Sequence, residues 1–396
     1  VKEVFEIRNN IYWTGVLDPE LRTFDIIMKT PHGSTYNSYF IDDEKKVLID
    51  TVKPNFKGEF MEKLQGLVDI KDLDIVIINH TEPDHAGCLR YILDINPDVE
   101  VYSTKAANIF LKEQVNREFK GHIIKDGETL NIGSRTLRFI TAPFLHWSDT
   151  MFVYSEEDQF LFTCDGFGSH YCAVEPDASH RSDYKEAFEH YYDCIMHPFA
   201  PHILSALEKV KDLKIQKTLP SHGPILEDGS YQREKYYQWA KRDNDKRNKN
   251  QVAVIYLSAY TNTEKMALGI MEGLQKVDGV TIRMIDAEKE PLSEIAEAIA
   301  TSKGVLLGSP TINKTMVKPM WDIFSIIDPM ANMGKIAGVF GSYGWSGEGI
   351  KMAQSLLKQM GFKVPFDPLE KKFSPSEETI EQCVHMGKEF GEKIIG

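Results

Sequence analysis

The run His80-Thr81-Glu82-Pro83-Asp84-His85 packs two imidazoles and two carboxylates into a single turn. It follows, after Asn79, the apolar stretch Ile75–Ile78, which reads as a buried strand. A strand delivering four ligand-type side chains into one loop points to metal binding. Three more such residues stand downstream. His146 follows the apolar 137–141 strand, Asp165 ends the stretch Phe162-Thr163-Cys164, and His222 lies between Pro220 and Pro224. All three occupy strand ends or turns, where topology can bring distant positions together. The seven divide into two sets of four if Asp165 bridges. One set is His80, Glu82, His146 and Asp165; the other is Asp84, His85, His222 and Asp165. Two metals held this way stay open to a small molecule between them. Cys164 reads as a packed small residue rather than a ligand.

A second constellation lies in the last third of the chain. Three loops follow strand-like stretches: Ser258, Ala259, Tyr260, Thr261, Asn262 and Thr263; Ser309, Pro310, Thr311, Ile312 and Asn313; and Ser342, Tyr343, Gly344, Trp345, Ser346 and Gly347. Hydroxyl residues and successive backbone N–H groups ahead of a helix form an anion nest, suited to a phosphate monoester. Neither a Walker A loop nor G-x-G-x-x-G is present, so a dinucleotide is disfavoured. Tyr343 and Trp345 can face an aromatic ring system, and the glycines permit close backbone approach. Strand one of this half ends Tyr256-Leu257-Ser258, without the acidic cluster that a receiver domain needs.

The elements that must position these residues fall into two patterns. Residues 1–248 alternate short strands with helices, consistent with an αββα sandwich. A helical stretch is predicted over residues 183–217. The segment 241–251 holds no apolar residue and reads as a helix end and linker. Residues 249–396 then show five strands alternating with helices, the pattern of a doubly wound parallel sheet of flavodoxin-like type, with its last strand expected near 362–364.

Composition bounds the rest. The chain has 396 residues, 42% hydrophobic and 27% charged, with a formal charge of −13. No basic surplus is available to neutralise phosphates, which argues against nucleic acid. No apolar run approaches a membrane span, and Val1–Glu6 lacks the features of a signal peptide. Five cysteines without a C-x-x-C pair fit a cytoplasmic protein and exclude an appended Cys₄ iron module, so a one-electron donor is expected to be a separate protein.

The ligand order resembles the metallo-β-lactamase superfamily, whose dizinc hydrolases carry H-x-H-x-D-H. Glu82 replaces the second His, and the oxygen-rich set shifts the expectation from zinc towards iron. The three loops resemble the FMN-binding loops of flavodoxins, with Thr261 where a glycine is usual. The two halves together resemble the flavodiiron proteins (A-type flavoproteins). Supporting stretches are Thr35–Tyr39, His146-Trp147-Ser148-Asp149, Ser221-His222-Gly223 and Gly308–Thr311. The resemblance implies FMN and two iron ions per chain. It implies reduction of O₂ to water, NO to N₂O, or both. It also implies rubredoxin or reduced F420 as donor, a minimal two-domain class, and a head-to-tail homodimer or dimer of dimers. It leaves His85 either coordinating or only lining the pocket. Tyr192 and His197 are the expected proton donors. The competing reading is a dizinc hydrolase of lactonase or glyoxalase II type with an accessory flavodoxin-like domain.

Overall fold

The computed structural model describes residues 3–247 and 249–396, so Val1, Lys2 and Asn248, on which the signal-peptide and domain-boundary expectations partly fall, lie outside the described residues. The chain divides into two compact units between Lys241 and Arg242.

In the first unit, two sheets face each other. The seven-stranded sheet runs in the order Phe5–Arg8, Ile11–Trp13, Tyr39–Asp42, Lys46–Ile49, Ile75–Ile77, Glu100–Ser103, Lys120–Ile123. The five-stranded sheet runs Thr129–Asn131, Thr136–Thr141, Met151–Ser155, Phe160–Cys164, Lys217–Pro220. The stretch Ile75–Ile78 explains the layering. Ile75 and Ile77 join Trp13, Phe139 and Phe162 in the core between the sheets. Val76 and Ile78 join Leu64, Leu93 and Leu111 in the layer towards the helices. With a side-chain period of two, a strand buried on both faces must be apolar throughout. Each such buried side chain contributes about 1.5–3 kcal/mol.

The predicted helix over 183–217 is instead four pieces and a strand. An α-helix, Ser182–Tyr191, passes into a π-helical turn, Tyr192–Met196, then a 3₁₀ turn, His197–Phe199, and a second α-helix, Ala200–Val210. Lys217 already belongs to the strand Lys217–Pro220. Pro198 and Pro201 are the cause, since each lacks an N–H and crowds the preceding turn. The stretch 23–29, whose residues suggest a single strand, turns back on itself. It is a tight hairpin, Thr23–Phe24 with Met28–Lys29, turned by Asp25 and Ile26 at positive φ.

The second unit has five parallel strands in the order Thr281–Asp286, Gln251–Tyr256, Gly304–Gly308, Ile336–Tyr343, Leu369–Lys372. Numbered along the chain this is 2-1-3-4-5, the flavodoxin-like order. The last strand forms at Leu369–Lys372 and not at 362–364. Phe362 is core, and Lys363 makes only an isolated bridge to Ile336. Pro365 and Pro368 then interrupt the ladder, which proline cannot support, and pairing resumes just beyond them. A short hairpin, Thr311–Ile312 with Thr315–Met316, is attached to the sheet where Thr311 pairs Tyr343.

Candidate metal centre and flavin pocket

The ligand loop is held from below by a neighbouring strand. Beyond Lys46–Ile49, Asp50 turns at positive φ and accepts hydrogen bonds from Asn79 N at 2.7 Å and Asn79 Nδ2 at 3.1 Å. Thr51 donates to the His85 carbonyl through both its backbone N–H, at 2.6 Å, and its hydroxyl, at 2.7 Å. Glu82 stands at the N-cap position of the short helix Pro83–Ala86, with Pro83 at N1, where its missing N–H costs nothing. The run is thus clamped at both ends. Burial pushes the Asp50 carboxyl up to about 7.

All seven predicted side chains converge. His80, Glu82, His146 and Asp165 form one group, and Asp84, His85 and His222 a second. Glu82 Oε2 lies 3.3 Å from His80 Nε2 and 2.9 Å from His146 Nε2. Asp165 Oδ2 is 3.6 Å from each of those two nitrogens. The other oxygen, Oδ1, faces the second group, at 3.2 Å from His85 Nε2 and 3.4 Å from His222 Nε2. Asp84 completes that group at 3.3 Å from His85 and 3.2 Å from His222. Ligand atoms each about 2.1 Å from a shared ion stand roughly 3.0–3.5 Å apart, close to these spacings. Asp165 presents one oxygen to each group, which is the geometry of a bridge.

The fit to cations shows in what lacks a partner. Both oxygens of Asp84, both ring nitrogens of His85 and Oδ2 of Asp165 are buried without a hydrogen bond. Orphaned polar atoms at this density are costly in a protein interior. A cation in each group would satisfy those aimed at the centre. Burial disfavours charge on His80, yet hydrogen bonds to Asp149 and Glu82 outweigh it and raise its pKa well above the usual imidazole range. The Asp165 carboxyl is held well below its ordinary range, as the surrounding imidazoles overcome desolvation. Cys164 brings its thiol within 4.8 Å of ligand atoms of His85 and Asp165, and burial pushes that thiol up.

Several supporting groups carry no local sequence signal. Asp149 receives His80 Nδ1. His222 Nδ1 donates to the Thr35 carbonyl at 2.7 Å, which turns Nε2 towards the centre. The Trp147 ring stands edge-on to His80, with centroids 5.0 Å apart. Asp149 and Thr35 sit inside stretches that carry the family resemblance, and that was the available clue.

In the described contacts the tyrosine that reaches the ligand set is Tyr191, next to the predicted Tyr192: its hydroxyl donates to Asp165 Oδ1 at 3.0 Å. Tyr192 packs its ring against Tyr236 and Trp239. Consecutive helical residues point about 100° apart, so one of the pair faces the centre and the other the helical layer. His197 turns Nδ1 to the Asp193 carbonyl at 2.7 Å.

In the second unit a pocket of about 430 Å³ is lined by Ala259, Tyr260, Asn262, Pro310–Asn313 and Ser342–Trp345, and by Phe373, which the sequence reading missed. Tyr260, Trp345 and Phe373 are 83%, 73% and 63% exposed. Three uncovered aromatic rings around a cleft of ligand size fit a planar aromatic guest. The other predicted residues build the rim from behind. Ser258 Oγ accepts from Glu264 N at 3.0 Å at the start of the helix Asn262–Gln275, and Thr261 takes a left-handed φ of 61°. Thr263 and Ser342 share a hydroxyl hydrogen bond of 3.0 Å. Ser309 is buried, its hydroxyl on the Pro310 carbonyl. Ser346 and Gly347 follow the lining residues; Gly347 approaches the Tyr343 ring.

Comparison with known proteins agrees with both halves. A family model described as ODP family beta lactamase matches residues 35–223, and one described as flavodoxin matches residues 254–387. Flavo-diiron protein FprA2 of Clostridium acetobutylicum is 38% identical, over 98% of this chain and 99% of that protein. This chain belongs to the flavodiiron family. The anaerobic nitric oxide reductase flavorubredoxin of Aeromonas salmonicida is 34% identical over 97% of this chain and 74% of its own length. Among solved structures, rubredoxin oxygen:oxidoreductase from Desulfovibrio gigas is similar with a TM-score of 0.64 and 29% identity, covering 99% of both chains. Membership in the flavodiiron family implies FMN and a non-haem di-iron centre, and the pocket and the paired ligand groups are suited to them. The flavodiiron family relationship makes the chain an oxidoreductase. No helix among the described residues is long and apolar enough to cross a membrane.

Proposed function

We propose that this flavodiiron protein reduces O₂ to water, NO to N₂O, or both, at the Asp165-bridged centre. Electrons would come from a separate carrier such as rubredoxin, with reduced F420 an alternative. The observation that carries the reading is the pair of ligand groups sharing Asp165, with Glu82 in place of an imidazole, in a chain that also has a flavin pocket. When bound, the irons and FMN together supply up to four electrons, enough for O₂ plus four protons to give two waters, or for two NO plus two protons to give N₂O and water. The protein's own residues set the conditions. Glu82, Asp84 and Asp165 supply hard oxygen donors that suit iron. His80, His85, His146 and His222 complete the two positions. Trp147 walls the centre beside His80, and Tyr191 holds Asp165 by its hydroxyl. Tyr260, Trp345 and Phe373 bound the flavin pocket, and the loop 258–263 would hold the phosphate.

The names of the relatives support both gases: one is a nitric oxide reductase flavorubredoxin, another a rubredoxin oxygen:oxidoreductase. We further propose a head-to-tail homodimer, in which the flavin pocket of one chain serves the metal centre of the other, in a cytoplasmic setting. The domains we assign are 1–248 for the di-iron centre and 249–396 for FMN. The test is anaerobic purification, iron and flavin quantitation, then electrode assays of O₂ and NO with reduced rubredoxin. Consumption of at least one gas is expected. Protein loaded with iron and FMN that consumes neither gas, or zinc-loaded protein that hydrolyses a thioester or lactone, would end this reading.

A further inference from the structure

We propose that Asp149 makes the two metal positions unequal, so that the His80–Glu82–His146 position holds its ion more tightly than the Asp84–His85–His222 position. Asp149 is fully buried and outside the ligand set. Its carboxylate accepts from His80 Nδ1 at 3.1 Å, from Thr81 N at 2.8 Å and from Thr81 Oγ1 at 2.7 Å. Three donors on two oxygens hold it as an anion. The backbone around it is also pinned. The Asp149 carbonyl accepts from Thr104 Oγ1 at 2.9 Å, and Thr104 is the N-cap of the helix Lys105–Val115. A carboxylate behind a ligating imidazole fixes the tautomer, aims the other nitrogen at the metal and raises its basicity.

Among the described residues, no carboxylate hydrogen-bonds the outer ring nitrogen of either imidazole at the second position. His222 Nδ1 faces a neutral acceptor, the Thr35 carbonyl, with the Ser34 hydroxyl at 3.3 Å. His85 Nδ1 is buried without a hydrogen-bond partner. The outer ring nitrogen thus meets an anion at His80, a carbonyl at His222 and no hydrogen-bond partner at His85. Asp149 is a positioning residue, acting through His80 on the metal without touching it.

The inference rests on the reading that the seven side chains hold two ions, and metal release tests it. Anaerobic holoprotein is mixed with excess ferrous chelator and iron release is followed in time. The wild type is expected to release iron in two phases of equal size, one slow and one fast. Asp149→Asn keeps the shape and an acceptor oxygen but removes the charge. It should speed the slow phase about 10–100-fold and leave the fast phase unchanged. Ser34→Ala, beside His222, should alter only the fast phase. Thr81→Val, which removes one donor to Asp149, should speed the slow phase by less, and it stands in if Asp149→Asn does not fold by circular dichroism. Single-phase release from the wild type overturns the proposal. So does a slow phase that neither Asp149→Asn nor Thr81→Val changes, or an effect of either confined to the fast phase. Protein that releases two ions in two phases but consumes no gas ends the proposed function and leaves this inference standing.

Discussion

At the scale of single residues, two positions decide most of the chemistry. Glu82 sets the balance between oxygen and nitrogen donors, because its carboxylate faces both His80 and His146. Glu82→His should raise the zinc-to-iron ratio of protein loaded from an equimolar mixture, measured by elemental analysis, since softer nitrogen donors favour zinc. An unchanged ratio would show that the preference is set elsewhere. The tyrosine pair separates by direction. Tyr191→Phe removes a hydrogen bond to a carboxylate, worth about 1.5–3 kcal/mol, and should lower gas consumption several-fold. Tyr192→Phe keeps the ring that packs on Tyr236 and Trp239 and should leave consumption within about two-fold. Equal losses in the two variants would contradict this assignment. The ligands themselves were legible in sequence because charged residues at the ends of apolar strands are conspicuous. The choice of Tyr191 over Tyr192 was not, because adjacent residues differ only in helical phase, and a π-turn begins at the second of them.

At the scale of elements, close approach and buried charge carry the argument. Gly341 lies in the strand Ile336–Tyr343, where a Cβ would collide with the Ser309 carbonyl. Gly341→Ala should push the 309–313 loop off the sheet and cost about 1–3 kcal/mol by overpacking. The expected result is loss of bound FMN on gel filtration with iron retained. Retention of flavin at wild-type level would show that the loop can yield. In the first unit, buried Arg135 bonds Asp158 at 2.7 Å and Asp43 at 2.6 Å, joining the two sheets. Arg135→Met should destabilise by about 3–5 kcal/mol, because both carboxylates lose their cation. Burial works against the Asp43 charge, yet hydrogen bonds from Ser134, Glu44 and Arg135 hold its carboxyl at about 2, below the ordinary 3.8. A depressed carboxyl contributes stability above its unfolded pKa, and that contribution is lost as the pH falls through 2. Asp43→Asn should therefore lower stability at pH 6 by about 1–2 kcal/mol after screening, and narrow the gap to wild type as the pH approaches 2. Thermal melts across that range decide it. The alternation of strands and helices was readable along the chain; the hairpin at 23–29 and the delayed edge strand were not, since prolines and positive-φ turns move element ends without changing composition.

At the scale of the whole molecule, the two cofactor sites lie in different units, which is why we propose an active dimer. Specific gas consumption should fall on dilution in step with the dimer population measured by analytical ultracentrifugation. A strict monomer with full turnover would remove the homodimer from the reading.

By itself the sequence determined which atoms this protein can offer: seven metal-ligand side chains at strand and turn positions, three loops fit for a phosphate and a flat ring, and two blocks of opposite pattern. These follow from residue chemistry and from periodicities of two and 3.6, which are local properties. The two ligand sets around Asp165 were already readable in the sequence; only the tertiary structure decided which oxygen of Asp165 faces which set, and that Asp149 stands behind one imidazole while a carbonyl stands behind another. Those facts join residues as distant as Thr35 and His222. They depend on how strands order themselves in a sheet, which local pattern does not encode.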